Sequence, residues 1–408
     1  MSTPESLVLS TQQSSLSNFI LMITEECNLR CDYCYMSPHP GRIAHSTIES
    51  TLNFIFAQQG AGSSKPISLC FFGGEPLMAP DLVAHISRKL LERAALEARN
   101  VTFSMTTNGT LMDAQCAELI REFNIKVNLS LDGHGAAQDF HRRQANGKGS
   151  FSLIERNIER LTSLPRLSVR LTVSPDTAAM LEESVCWLQE KGFRSIFFSP
   201  VVEAAWDYNS LSSLYKAYQN LHRYQKLRPR REARITNLTR DVDRLRNGNQ
   251  RIYGCGAARN LVAIDTSGNI YPCQRFIGYF RGSPEHHIGN VFNGLDTVRQ
   301  QHYIEHNTID NIESCGEGLY PGDLDAANRS GCAKCMLFAV CHAGCMAVNA
   351  SLTGNPRKPS PVNRLLAQIA ASSCLTIFSN TPDETPSSAT INEQQGEHHE
   401  QLIIPALS

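Results

Sequence analysis

Along the first half of the chain, short apolar runs alternate with segments in which apolar residues return every three or four positions. The runs fall at residues 17–24, 67–72, 101–107, 125–131, 167–173 and 195–200. Runs of this length, bounded by Gly or polar residues, read as buried strands. Helical spacing fills residues 81–99, 113–123, 152–161 and 177–191. Ser46 and Glu49 have the spacing of a capping box ahead of Ile48, Leu52, Ile55 and Phe56, which adds one more helix after the first run. Strands that alternate with helices predict a parallel sheet with right-handed crossovers. Six such units are present, two short of a closed eight-stranded barrel. In such an α/β fold, ligands gather at the carboxyl ends of the strands, where loops and helix amino termini meet.

The rhythm stops near residue 210. Residues 211–245 are rich in Arg and Lys, including Arg228, Arg230, Arg231 and Arg234, with Pro229 breaking the run. A solvated helical connector accounts for this composition, and a docking face for an acidic peptide is the alternative. Past Tyr253 the chain turns to Gly, Cys and short strands at residues 261–265 and 269–271, around a Ser267-Gly268 turn. The expected organisation is a tail over 1–16, a partial barrel over 17–210, a basic connector over 211–252, a cysteine-rich domain over 253–378 and a disordered tail over 379–408.

Composition narrows the chemistry. The 408 residues suffice for two or three domains. With 38 basic against 39 acidic side chains, a nucleic-acid protein built on a basic surface is not expected. No apolar stretch approaches the ~20 residues of a membrane helix. The first residues lack a basic start and an apolar core, so a standard signal peptide is not expected and the cytoplasm is the expected location. Fourteen cysteines in a reducing compartment point to metal rather than disulfides. Cys70, Cys116 and Cys186 stand alone and read as small core hydrophobes.

Cys27-x3-Cys31-x2-Cys34 puts three thiols on one loop directly after the first strand. A structural zinc site would want a fourth ligand, whereas an iron–sulfur cluster can take three thiolates and leave one iron open. The segment Cys27-Asn28-Leu29-Arg30-Cys31-Asp32-Tyr33-Cys34 resembles the signature of the radical S-adenosylmethionine (SAM) enzymes. The resemblance implies a [4Fe–4S] cluster on these three cysteines and S-adenosyl-L-methionine on its open iron. One-electron reduction then yields a 5′-deoxyadenosyl radical that takes a substrate hydrogen, and the electron comes from a donor such as flavodoxin or ferredoxin. It extends over roughly residues 17–375.

Further motifs follow the strand ends. Gly73-Gly74-Glu75-Pro76 resembles the family's GGEP segment; paired glycines permit close backbone approach, and an acid can balance an ammonium group. Thr107 and Asn108 end the third strand, Ser130 and Asp132 the fourth, and both segments resemble elements lining the cofactor pocket. Asp139-x-x-Arg142 resembles a downstream element whose arginine, Arg142 or the adjacent Arg143, pairs with the cofactor carboxylate. By the same resemblance Tyr33 lies beside the adenine.

The later cysteines form the ladder Cys332-x2-Cys335-x5-Cys341-x3-Cys345, preceded by Cys255-x12-Gly268-x4-Cys273 and followed by Cys374. A zinc site is the plain reading of such a ladder. The order of all seven resembles the SPASM extension of radical SAM enzymes. That implies one auxiliary [4Fe–4S] cluster on Cys255, Cys273 and Cys345, and another on Cys332, Cys335, Cys341 and Cys374. Cys315 is an extra cysteine: relatives carry a ligand where this chain has Leu261, and either Cys315 replaces it or the first auxiliary cluster keeps an open iron.

The layout is similar to the anaerobic sulfatase maturases, which make formylglycine from Cys or Ser, and to SPASM enzymes that crosslink ribosomally made (RiPP) peptides. In the sulfatase maturases an Asp base follows the cysteine equivalent to Cys273; this chain has Gln274, which cannot accept that proton. The segment Tyr271-Pro272-Cys273-Gln274-Arg275-Phe276-Ile277-Gly278 resembles the crosslinking enzymes. A precursor peptide is therefore the expected substrate and a C–C cyclophane, thioether or ether crosslink the expected product. A formylglycine-generating enzyme and a non-enzymatic metal scaffold are the alternatives. Only 26 residues precede Cys27, too few for a winged-helix leader-binding domain, so leader recognition falls to the barrel, the connector or a separate protein. Glu203, after the sixth strand, reads as a solvated loop acid.

Overall fold

The computed structural model describes residues 16–58, 65–227, 233–247, 253–313, 335 and 337–379. Each predicted run becomes a strand: β1 (Asn18–Thr24), then, beyond a short strand β2 (Leu29–Cys31), β3 (Ile67–Gly73), β4 (Val101–Thr107) and β5 (Lys126–Ser130). Beyond another short strand, β6 (Arg142–Gln144), come β7 (Leu167–Val173) and β8 (Ser195–Pro200). The six long strands pair in parallel in the order β1-β3-β4-β5-β7-β8. β1 is buried along nearly its whole length, as expected for a parallel strand covered on both faces. Phe71 of β3 stacks on Phe103 of β4, ring centroids 5.9 Å apart, joining neighbouring strands within the core.

Crossover helices Pro80–Leu96, Ala114–Glu122 and Leu181–Glu190 occupy the predicted segments. Asp113 caps the second of these, its carboxylate accepting from the Cys116 N–H at 2.7 Å. Residues 152–161 form two short helices, Phe151–Glu155 and Ile158–Thr162, in place of one. The expected capping box at Ser46 does not form. Helix His45–Ala57 starts two residues earlier than such a cap would set it, so Ser46 lies inside its first turn and Ala44 is the cap, without a side-chain bond; Glu49 instead pairs with Lys89 at 3.3 Å. A capping box does form at Ser174 and Thr177, ahead of Leu181–Glu190.

The basic segment is more than a solvated connector. Helices Tyr208–Leu227 and Thr236–Asn247 flank a two-residue strand, β9 (Arg234–Ile235), that pairs in parallel with β8. Leu211, Leu214, Tyr218, Leu221 and His222 bury one face of the first helix, so apolar spacing, masked in the sequence by the interleaved charges, makes this segment part of the fold. Arg228, Arg230 and Arg231 lie outside the described residues.

The cysteine-rich region continues the same sheet. Its first strand, β10 (Leu261–Ile264), pairs in parallel with the other edge of β1, from Asn18 opposite Leu261 to Leu21 opposite Ile264. β11 (Asn269–Tyr271), β12 (Gly289–Asn290) and β13 (Gly294–Leu295) extend it antiparallel. The Ser267-Gly268 turn is where the sequence puts it, with Gly268 at φ +85°. Cys116 is buried in the core, and Cys70 packs half-buried against it. Among the described residues no helix is long and apolar enough to cross a membrane.

Candidate active site

The first cysteine loop is held by backbone contact between two strand ends. The Gly74 N–H donates to the Thr24 carbonyl at 3.0 Å and the Glu75 N–H to the Glu26 carbonyl at 2.8 Å. A Cβ on Gly74 would stand 2.2 Å from the Glu26 carbonyl oxygen, and one on Gly73, whose φ is +149°, 2.1 Å from that of Thr24. The glycine pair thus lets the end of β3 meet the chain leaving β1, which then carries the three cysteines. Farther along, β2 pairs antiparallel with β6, setting Cys31 opposite Arg142.

Cys27 and Cys31 are half-buried and Cys34 is exposed. Burial pushes the Cys27 thiol up to about 11, the Leu29 N–H opposing and Glu75 and Cys34 adding to the shift. Burial pushes Cys31 up to about 12, with Arg142 opposing and Cys34, Asp132 and Cys27 adding. Cys27 and Cys31 are therefore desolvated, with Cys34 a neighbour of both. Among the described residues no three His, Cys, Asp or Glu side chains converge as on a single metal ion. Three soft donors on one loop suit an iron–sulfur cluster, which spreads its ligands over several iron atoms.

Glu75 organises the strand ends beside this loop. Its Oε1 accepts from Thr107 Oγ1 at 2.6 Å and from the Leu77 N–H at 3.0 Å; its Oε2 accepts from the Asn108 N–H at 2.7 Å. Oε2 keeps acceptor capacity for a further donor. Pro76 is buried at the start of the turn that Glu75 caps. Asn108 Nδ2 reaches Asn28 Oδ1 at 3.0 Å, and Asn28 in turn donates to Thr110 at 2.7 Å. Asn28, between the first two cysteines, had no distinguishing signal in the sequence beyond that position.

A second polar group lies at the ends of β5 and β7. Asp132 is buried, gripped by Arg142, with its N–H bonded to Gln138 Oε1 at 2.9 Å. Tyr33 donates its hydroxyl to Asp132 and lies under the Arg142 guanidinium, 5.3 Å from ring centroid to Cζ. His141 bridges Asp32 at 3.3 Å and Ser174 at 2.7 Å, against the Tyr33 ring. Two of the Arg142 nitrogens are thus committed to Asp132. Ser130 ends β5 half-buried, and the Arg143 side chain donates its Nε–H to the Phe140 carbonyl at 3.3 Å.

Three later cysteines also come together. Burial pushes Cys273 up to about 12, with Cys345 and Cys255 adding to it, and burial raises Cys255, with Cys345 again a neighbour. Asn307 holds Cys255, its Nδ2 lying 2.7 Å from the carbonyl and 3.4 Å from the sulfur. Cys335 packs on a small core of Ile309, Ile312, Phe338 and Ala343. Cys341 Sγ accepts from Asn363 Nδ2 at 2.9 Å. Cys374 is buried elsewhere, 3.6 Å from His222 Nε2. Cys315 and Cys332 lie outside the described residues.

The two cysteine groups meet at Tyr35. Helix Gln274–Tyr279 starts directly after Cys273 and packs its Gly278 on Tyr35 and Met36. Tyr35 is raised well above its ordinary range by burial, with Cys273, Cys34 and Cys345 adding and Arg275 opposing. Arg275 stacks over the Tyr35 ring at 5.0 Å and donates to Glu203 at 2.8 Å. Tyr279 also donates to Glu203. Glu203 is thus an exposed loop acid, as read from the sequence, that accepts from two donors beside the junction. Glu25, after β1, ties the same halves together by accepting from Arg281 at 2.5 Å and Thr266 at 2.5 Å.

Residues 21–188 match the Radical SAM superfamily. Over 363 residues the chain is 24% identical to the serine-type anaerobic sulfatase-maturating enzyme of Klebsiella pneumoniae, covering 85% of each. Over 350 residues it is 23% identical to the cysteine-type enzyme of Clostridium novyi (strain NT), covering 81% of this chain and 88% of the relative. The solved structure of native anSMEcpe with bound AdoMet superposes with a TM-score of 0.69 at 19% identity, covering 89% of this chain and 98% of that one. Streptococcus suis SuiB bound to precursor peptide SuiA gives 0.54 at 17%, covering 86% and 76%. At such identities the solved structures establish a shared fold.

Proposed function

The chain is a radical SAM enzyme, and from that premise we propose that it oxidises a residue within a peptide or protein substrate by two electrons. The observation that carries this reading is Tyr35, which stands beside Cys34 of the first cysteine group and Cys273 and Cys345 of the second. A [4Fe–4S] cluster with S-adenosylmethionine supplies the power to remove a hydrogen atom from carbon. Cys27, Cys31 and Cys34 hold that cluster. Glu75 Oε2 offers an acceptor to the cofactor ammonium, and Tyr33, Ser130 and the strand-end residues around Asp132 shape the pocket. Cys255, Cys273 and Cys345 hold an auxiliary iron–sulfur group, and Cys335 and Cys341 belong to a second. A substrate lying over Tyr35 has an electron acceptor on one side and the hydrogen-abstracting centre on the other. Flavodoxin or ferredoxin is the class of donor this chemistry needs.

The finer reading is an intrapeptide crosslink, because Gln274 provides no base after Cys273. The alternative, formylglycine formation, is supported by the similarity to sulfatase-maturating enzymes and by Glu203, an acid available beside the junction. Anaerobic holoenzyme is to be given a co-expressed precursor peptide or a Ser-containing sulfatase peptide, followed by mass spectrometry and hydrazide trapping. A mass loss of two hydrogens without hydrazide capture identifies a crosslink. The same loss with capture identifies an aldehyde. An unchanged mass for both, with deoxyadenosine still formed, overturns peptide oxidation on these substrates.

A further inference from the structure

Helix Pro361–Ser379 carries two candidate contacts for the second cysteine group, Asn363 and Cys374, eleven residues apart. At 1.5 Å of rise per residue they are separated by about 16 Å along the helix axis, more than two short side chains can bridge. Cys341 Sγ accepts from Asn363 Nδ2 at 2.9 Å, so Cys341 sits at the amino-terminal end of this helix. The Asn363 backbone is fixed there by Ser360, its N–H donating to Ser360 Oγ at 3.2 Å. Cys374 sits toward the other end, fully buried. Its sulfur lies 3.6 Å from His222 Nε2 on helix Tyr208–Leu227, which packs along Pro361–Ser379. The placement of Cys374 with Cys332, Cys335 and Cys341 in one ligand set, implied by resemblance, does not fit this geometry.

We infer that helix Pro361–Ser379 presents Asn363, and not Cys374, to the group held by Cys335 and Cys341, and that Cys374 binds no iron. The inference rests on the proposed reading that this part of the chain holds an iron–sulfur group. A side-chain N–H bonded to a ligating sulfur withdraws electron density from it and raises the reduction potential. Asn363 is therefore a positioning and tuning residue, and Cys374 is a packing thiol in a helix seam.

The test uses the full-length protein, reconstituted anaerobically with iron and sulfide. Variants Cys374→Ala, Cys374→Val, Asn363→Ala and Cys341→Ala are compared for iron and labile sulfide per chain, for circular dichroism, and for the electron paramagnetic resonance of the reduced state. Cys374→Ala, or Cys374→Val should the smaller side chain fail to fold, is expected to keep the wild-type iron content and all signals. Cys341→Ala is expected to lose up to about four iron atoms, one cluster's worth. Asn363→Ala is expected to keep its fold and shift one signal to lower potential. If a folded Cys374 variant loses as much iron as Cys341→Ala, the assignment of Cys374 is overturned. If Asn363→Ala leaves iron and every potential unchanged, the role of Asn363 is overturned. If Cys341→Ala itself keeps full iron, the reading of an iron–sulfur group at this site fails, a result separable from the other two.

Discussion

Arg142 grips Asp132 with two parallel bonds, Nε to Oδ2 at 2.9 Å and Nη2 to Oδ1 at 3.1 Å, and both side chains are buried. Asp132 also accepts from Tyr33 and from the Thr172 N–H at 2.9 Å, so one carboxylate joins the cysteine loop to the ends of β5 and β7. Arg142 stands opposite Cys31 in the β2–β6 ribbon, which makes this ion pair the anchor of that loop.

Removing one member leaves the other charge buried and alone. Asp132→Asn is expected to destabilise the fold by about 3–5 kcal/mol. Arg142→Lys, which keeps the charge and loses the two-pronged geometry, is expected to cost less, about 1–3 kcal/mol. Anaerobic urea unfolding measures both, and iron release should be faster in the more destabilised variant. Equal stability of Asp132→Asn and wild type would show that the pair does not anchor the loop.

The packing of Gly278 on Tyr35 joins the two cysteine groups, and it leaves no room for a side chain. A Cβ at position 278 would stand 2.5 Å from Tyr35 Cδ2 and 2.6 Å from the Tyr35 carbonyl oxygen. Because a backbone atom is among the obstacles, relief requires the helix to move. Gly278→Ala is expected to destabilise by about 1–3 kcal/mol, the usual range for overpacking. The readout specific to this contact is uncoupling, with deoxyadenosine still formed and modified peptide reduced. Wild-type stability and coupling together would remove Gly278 from the junction.

Glu203 allows a test of proton handling. Under the formylglycine reading, Glu203, held by Arg275 and Tyr279, is the acid that would take the substrate proton in a chain with Gln at position 274. Glu203→Gln is expected to lower product formation by about 10²–10⁴-fold, the usual contribution of a positioned base, with cofactor cleavage retained. Tyr279→Phe, which removes one of its two donors, is expected to have a smaller effect. An unchanged rate of product formation in Glu203→Gln would return this residue to a structural role.

Much of this arrangement was legible in the sequence, for identifiable reasons. Ile67, Leu69 and Phe71 form a buried run that only a strand satisfies, and the motif residues follow directly from strand ends, so sequence order was enough to gather Cys27, Glu75, Asn108 and Asp132 at the carboxyl end of the sheet. Partner choice was not legible. Nothing in the one-dimensional pattern tells that Asp132 is held by Arg142, or that Gly74 serves a backbone contact with Glu26. Strand β10 was foreseen, but its parallel pairing with β1 depends on a free sheet edge far away in sequence. The same limit applies to Cys374: the order of the cysteines grouped it with the ladder, whereas the helical rise from Asn363 carries it to His222.

His222 links that seam to pH. Burial holds its imidazole down to about 4, below an ordinary value of 6.5, so the folded protein keeps it neutral where the unfolded chain would bind a proton. Between these two values the unfolded state takes up more protons, and stability therefore rises with pH and is lost as pH falls from about 6.5 toward 4. The full shift corresponds to about 3 kcal/mol at 1.36 kcal/mol per pH unit. His222→Gln, neutral throughout, is expected to flatten the fall in the urea midpoint across that window while the m-value stays constant. If wild type and variant lose stability in parallel between pH 6.5 and 4, the acid sensitivity arises elsewhere and the seam around Cys374 does not sense pH.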